Sequence, residues 1–133
     1  MHKESVHIHP VQIYYEDTDH SGVVYHANYL KYFERAREHM LGIQRLISLY
    51  RLQGIGFVVY KAELTYKQGA RFGDSLEIRS TVRLESSYRL IFQQNVHLAG
   101  DDKKLVEGVI HLACVDGNMK LIPIPEIVVN ALQ

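Results

Sequence analysis

The sequence holds a single cysteine, Cys114, so no disulfide can form within the chain, and a reducing, cytoplasmic compartment fits. It has no apolar run approaching the roughly 18 residues that a membrane-spanning helix needs, so no span is expected. The opening residues, MHKESVHIHP, lack the apolar stretch of a secretory signal. Neither glycine-rich phosphate loop in common use is present, nor any internal repeat or low-complexity segment. Charge of one sign is missing too. The 15 Lys and Arg balance 15 Asp and Glu with no basic block, which argues against nucleic acid as the main partner. A small anionic ligand on a local basic patch stays open. The 8 histidines are scattered. His7 and His9 alternate, but no cysteine or second histidine pair stands at ligand spacing, so no metal site is expected.

What is present is a chain of 133 residues, enough for one domain with a real core, expected to span residues 1–133. Val6 to Glu16 alternates loosely and reads as a first strand. Asn28 to Leu41 has helical spacing, with Tyr29, Phe33, Ala36 and Met40 on one apolar face that Leu30 and Leu41 widen. Asn28 is expected as its N-cap and Gly42 as its stop. Ile43 to Leu52 forms a shorter second helix, broken at Gly54-Ile55-Gly56. From there the period changes to two. Strands are expected over Phe57–Lys67, Leu76–Glu85, Tyr88–Leu98 and Leu105–Asp116, with a short last one over Met119–Ile122. Pro123 and Pro125 end the sheet, and a short terminal helix covers Ile127 to Leu132. One apolar helix and one half-wet antiparallel sheet must cover each other. The fold class is α+β, a curved antiparallel sheet wrapped around a central helix. Open sheet edges would favour dimers.

The stretch YYEDTDHSGVVYHANYLKYFERAR, Tyr14 to Arg37, organises the rest. It reads as a strand end, an acidic turn with Glu16, Asp17, Asp19 and Ser21-Gly22, then the start of the main helix. Asp19 therefore precedes a helix N-terminus, whose unpaired N–H groups and partial positive charge can hold an anion or a forming oxyanion. A carboxylate beside an oxyanion site suits acyl transfer to water. The bland alternative is that Asp17 and Asp19 only cap the turn. Ser21 lacks the nucleophile elbow of an activated serine, since Asp19 and Val23 stand where the Gly-x-Ser-x-Gly pattern needs glycines. Cys114 sits within a strand and is expected to be buried and inert.

The order of elements and the Asp-x-Asp-x-x-Gly-Val-Val turn running into an Asn-Tyr helix resemble the hotdog fold. More narrowly, the chain resembles acyl-CoA thioesterases of the 4-hydroxybenzoyl-CoA thioesterase superfamily, in the YbgC-type branch associated with the Tol-Pal envelope system. The likeness is densest over residues 11–37. It implies hydrolysis of acyl-CoA to carboxylic acid and CoA, without a cofactor. It implies Asp19 as the catalytic carboxylate, acting as nucleophile or as general base. It places the oxyanion donor at the His26 backbone N–H and puts the side chains of Tyr15 and His26 around the site. Arg89 falls where related enzymes carry a basic residue near the nucleotide, with Lys67 and Arg71 as weaker candidates for the CoA phosphates. Another hotdog branch uses a helix carboxylate as its base, a role open to Glu34 on the central helix, though its position opposite the apolar face points to the surface or an interface. The resemblance further implies a homodimer or homotetramer with sites between subunits, and an acyl carrier protein as an alternative carrier. Two other readings use the same fold: a non-catalytic acyl-CoA or acyl carrier protein binding scaffold, and a hydratase or dehydratase.

Overall fold

The computed structural model describes residues 5–132. All five strands belong to one antiparallel sheet: β1 (His7–Gln12), β2 (Gly56–Tyr66), β3 (Ser75–Leu84), β4 (Arg89–Leu98) and β5 (Lys104–Val115). Their spatial order is β1-β3-β4-β5-β2, so the first two strands in sequence form the two edges. The helices are α1 (Asn28–Leu41), α2 (Ile43–Gln53) and the short α3 (Glu126–Ala131). The expected α+β architecture, an antiparallel sheet around a central helix, is the one observed.

α1 is the helix that the sheet covers. Tyr29, Tyr32, Phe33, Ala36 and Leu41 are buried on it, against Ile78 of β3, Phe92 and Val96 of β4 and Ile110 of β5. The approach is close because β5 carries a glycine under the helix. A methyl group at Gly108 would lie 2.6 Å from Phe33 Cε2 and 3.1 Å from the Gln94 carbonyl oxygen. Gly42, at φ 94°, ends α1, and its N–H donates to the Glu38 carbonyl.

Several expectations need correction. β1 ends at Gln12, and Tyr15–Asp17 is a single 3-10 turn instead of a strand continuation. There the Asp17 carboxylate accepts the Tyr14 N–H at 2.8 Å, a local bond that competes with sheet pairing. β1 carries Pro10 on an edge, where a missing N–H costs no ladder bond. Asn28 is not the N-cap: Ala27 holds that position, and Asn28 is the first helical residue. Leu30 is exposed, at 43%, while Arg37 on the same helix is buried, at 6%. Met119–Ile122 does not form a strand, and only Leu121 bridges to Val115.

Beneath α1 the sheet is not purely apolar. Gln94 of β4, wholly buried, donates from Nε2 to the Phe33 carbonyl and to Ser80 Oγ, both at 3.0 Å. Its Oε1 accepts from Arg37 Nη1 at 2.9 Å. One amide thereby ties the helix backbone, β3 and a buried guanidinium together.

On the β1 side, the His9 and His39 rings stack with centroids 4.8 Å apart. Burial first, then the charge of His39, lowers His7 and His9 below the ordinary 6.5, and burial also lowers His97. A base with a lower pKa folded than unfolded contributes its stability fully above pH 6.5. That contribution is lost as pH falls below this value, because the unfolded chain then binds more protons. The urea midpoint is expected to drop between about pH 7 and pH 5, before the carboxylates titrate. A midpoint that is flat or rising on acidification across that window would refute the assignment.

Candidate active site

The acidic turn is built by its own side chains. Thr18 pairs with Val24 across it. The Asp19 N–H donates to the Val23 carbonyl at 2.8 Å, and the Gly22 N–H donates to the Asp19 carbonyl at 3.0 Å. Gly22 has φ 83°, where a β-carbon would be strained. Asp19 Oδ1 accepts the Ser21 N–H at 2.8 Å, while Oδ2 has no donor among the described residues. The turn is docked onto the loop after β2. The Val24 N–H donates to the Ala70 carbonyl at 2.8 Å, and Val23 bridges to Arg71. Gly69 permits this: a methyl there would lie 2.9 Å from the Val23 side chain.

Asp17 plays a different part from Asp19. Besides Tyr14, it receives the Asn28 side-chain amide, at 3.3 Å on its carbonyl and 3.4 Å on Oδ1. Its carbonyl also accepts the Tyr25 N–H at 2.9 Å. It lashes the turn to the start of α1. Burial, reinforced by the neighbouring Asp17 carboxylate, raises the Tyr32 hydroxyl far above its usual range, so this phenol stays neutral.

Asp19, Val23, Val24, His26, Tyr29, Tyr66, Lys67, Gln68 and Gly69 line a cleft of about 260 Å³. Asp19 and His26 are thus brought together. His26 and Ala27 form the turn that enters α1, and no acceptor for the His26 N–H is found among the described residues. The Tyr66 hydroxyl donates to the His26 carbonyl at 3.0 Å, and the two rings meet edge to face at 6.2 Å. The Tyr29 hydroxyl accepts the Ala70 N–H at 3.2 Å, and burial raises its pKa. Tyr29, Tyr66 and Gln68 were missed by sequence reasoning. Tyr29 in a helix and Tyr66 in a strand fit a packing pattern, Gln68 lies in the loop after β2, and no local feature marks any of them as lining a site.

Tyr15 does not line this cleft. Its ring is 76% exposed and leans on Phe72, with centroids 5.9 Å apart. Within one chain Arg89 is also away from the cleft. It pairs with Ala113, whereas Lys67 of the cleft bonds to Leu105, eight residues back along the same strand. That separation is roughly 25 Å of strand. Arg89 instead stands 5.1 Å over the Tyr60 ring. The weaker basic candidates are the ones at hand: Lys67 lines the cleft, 3.3 Å from Glu107, and Arg71 flanks Gly22 of the turn. Glu34 lines a separate cavity with Arg37. Cys114 is buried, and burial pushes its thiol up to about 11, far from a reactive thiolate. Among the described residues no cluster of three His, Cys, Asp or Glu could hold a metal, and no helix is long and apolar enough to cross a membrane.

The family model of the thioesterase-like superfamily matches residues 14–132. The acyl-CoA thioesterase YbgC of Haemophilus influenzae is 37% identical over 120 residues, covering 88% of this chain and 87% of its own. The acyl-CoA thioester hydrolase YbgC of Escherichia coli O6:H1 is 37% identical over 108 residues, 80% of each chain. Among solved structures, the 1,4-dihydroxy-2-naphthoyl-CoA thioesterase of Synechocystis superposes with a TM-score of 0.88 over 96% of both chains at 23% identity, a likeness of fold. A model match over nearly the whole chain, and relatives of this identity and coverage, establish that the chain belongs to the thioesterase-like superfamily, as a hotdog-fold thioester hydrolase of the YbgC kind.

Proposed function

We propose that the chain hydrolyses acyl-CoA thioesters, taking acyl-S-CoA and water to a free carboxylic acid and CoA. The observation that carries this reading is one cleft holding an Asp19 carboxylate oxygen without a protein donor and a His26 N–H without a protein acceptor, among the described residues. The thioester carbonyl oxygen sits against the His26 N–H at the entry to α1. There the helix dipole also favours negative charge. Asp19 attacks the carbonyl carbon, giving a mixed anhydride that water then opens, or removes a proton from the attacking water. In either route the C–S bond breaks and the departing thiolate takes up a proton to leave as CoA thiol.

Tyr66 is a positioning residue in this scheme, since its hydroxyl fixes the peptide that follows the oxyanion donor. A hydrogen bond of about 1 kcal/mol net predicts a fall in kcat/KM of roughly fivefold to tenfold in Tyr66→Phe. Unchanged steady-state kinetics in that variant would remove Tyr66 from the mechanism.

The site is completed by a second copy. β2 is an edge strand of 11 residues with exposed Val59, Tyr60 and Tyr66. Such an edge invites strand pairing. Antiparallel pairing of β2 with β2 about a two-fold axis sets the Gly56–Val59 end of one chain beside the Tyr66 end of the other. The cavity lined by Gly56, Phe57 and Val59 then adjoins the partner's Asp19 cleft and receives the acyl group. Lys67 and Arg71 offer positive charge at the mouth for the CoA phosphates. Light scattering is expected to give two or four chain masses.

The test of the reaction is thiol release from acyl-CoAs of graded length and from aromatic ones. Acyl carrier protein thioesters form the second panel. Release above the uncatalysed rate is the expected result. No release from either panel would favour acyl binding without turnover.

A further inference from the structure

The cavity between α1, α2 and the start of β2 is about 520 Å³, twice the volume of the Asp19 cleft and within the range of small-molecule sites. Its walls are largely aliphatic and aromatic, among them Leu46, Ile47, Phe57 and Leu112. One wall is Arg37. This side chain is only 6% exposed, and among the described residues no carboxylate lies within ion-pair distance of it. A guanidinium carries five N–H donors. Here a single bond from Nη1, to Gln94 Oε1 at 2.9 Å, holds the group in place. Gln94 has no freedom to turn away, because its own Nε2 is committed to Phe33 and Ser80. The remaining guanidinium donors are not shut off from water, so an occupant that displaces that water from this largely apolar cavity leaves a cation with unmet donors unless it supplies an acceptor.

We infer that this cavity takes acyl groups bearing a neutral oxygen acceptor, a hydroxyl or a keto group, and that Arg37 is the specificity residue donating to it. The inference rests on the acyl-CoA reading above. A plain hydrocarbon chain entering the cavity displaces water from the Arg37 donors and leaves them unmet, whereas a hydroxylated chain replaces that water. A carboxylated chain fares worse than a hydroxylated one. Glu34 and Glu38 line the same cavity beside Arg37, against one further cation, Arg51, and their negative charge already supports the Arg37 guanidinium while opposing a further anion next to it.

The experiment compares kcat/KM for hexanoyl-CoA, 3-hydroxyhexanoyl-CoA, 6-hydroxyhexanoyl-CoA and adipoyl-CoA by thiol release. The wild-type chain is expected to favour one of the hydroxylated substrates over hexanoyl-CoA by about tenfold or more, and over adipoyl-CoA by more. In Arg37→Met that preference collapses toward parity. Arg37→Lys, which keeps a donor and a charge if the methionine variant fails to fold, retains part of it. Turnover of hexanoyl-CoA with no gain from either hydroxyl overturns the inference and leaves the thioesterase reading standing. A preference for adipoyl-CoA overturns the neutral acceptor. An equal loss on all four substrates in both variants reduces Arg37 to a structural role and overturns it as well. No thiol release from any of them in the wild type overturns the reading and the inference together.

Discussion

Asp19→Asn is expected to abolish thiol release, lowering kcat by about 10²–10⁴-fold, while the thermal unfolding midpoint stays close to that of the wild type. The substitution is nearly isosteric. The amide oxygen of the asparagine can still accept the Ser21 N–H that Asp19 Oδ1 accepts at 2.8 Å, so the turn between Thr18 and Val24 survives. The change removes the negative charge of a carboxylate that lines the cleft, the group that the proposed mechanism uses either to attack the thioester or to take a proton from water. Kinetics and melting must therefore be read on the same preparation. Wild-type turnover in the variant would end the assignment of Asp19. Lost turnover with a collapsed melting transition would make the residue a turn cap and nothing more. The contrasting control is Asp17, whose carboxylate is engaged with the Tyr14 N–H and the Asn28 amide.

Gln94→Leu is expected to cost about 3 kcal/mol or more of folding stability, read from urea unfolding. Leucine is close in size, so packing changes little. What is lost is every partner that the amide serves: the Phe33 carbonyl, the Ser80 hydroxyl and the Arg37 guanidinium. An unsatisfied buried group costs more than an average hydrogen bond contributes, and a buried charge costs most. The double variant Gln94→Leu with Arg37→Met is accordingly expected to be less destabilised than the sum of the two single changes, since removing both partners removes the stranded charge. A single-variant loss below about 1 kcal/mol, or strict additivity, would show that the network does not hold α1 to the sheet.

These two residues differ in how far they could be read in advance. Asp19 stands in an acidic turn next to a helix start, and both features are local. The bounds of α1, its stop at Gly42, the second helix and the four long strands after it were legible for the same reason. Each depends on a periodicity or a turn residue within a few positions. Where two local preferences competed, the reading failed. The Asp17 side chain took the Tyr14 N–H and turned the expected strand into a 3-10 turn. Asn28 reached back to Asp17 and did not cap the helix that it begins.

Gln94 gave no such signal, because nothing within β4 distinguishes a buried glutamine from a wet one until Phe33, Ser80 and Arg37 arrive from three other segments. Tyr66 and Arg89 make the same point. Tyr66 reaches the site because β2 runs beside β5 and ends next to the turn. Arg89 is carried to the far end of β5 by the antiparallel register of β4. Short-range sterics and hydrophobic spacing act within each segment, and they were enough to set the elements, the acidic turn before the helix and the α+β class. Which side chains meet in the cleft and which polar groups are buried follows from the closed fold. Those contacts join residues far apart in the chain, His26 with Tyr66 across 40 positions and Arg37 with Gln94 across 57, and their energy exists only once the sheet has closed over α1.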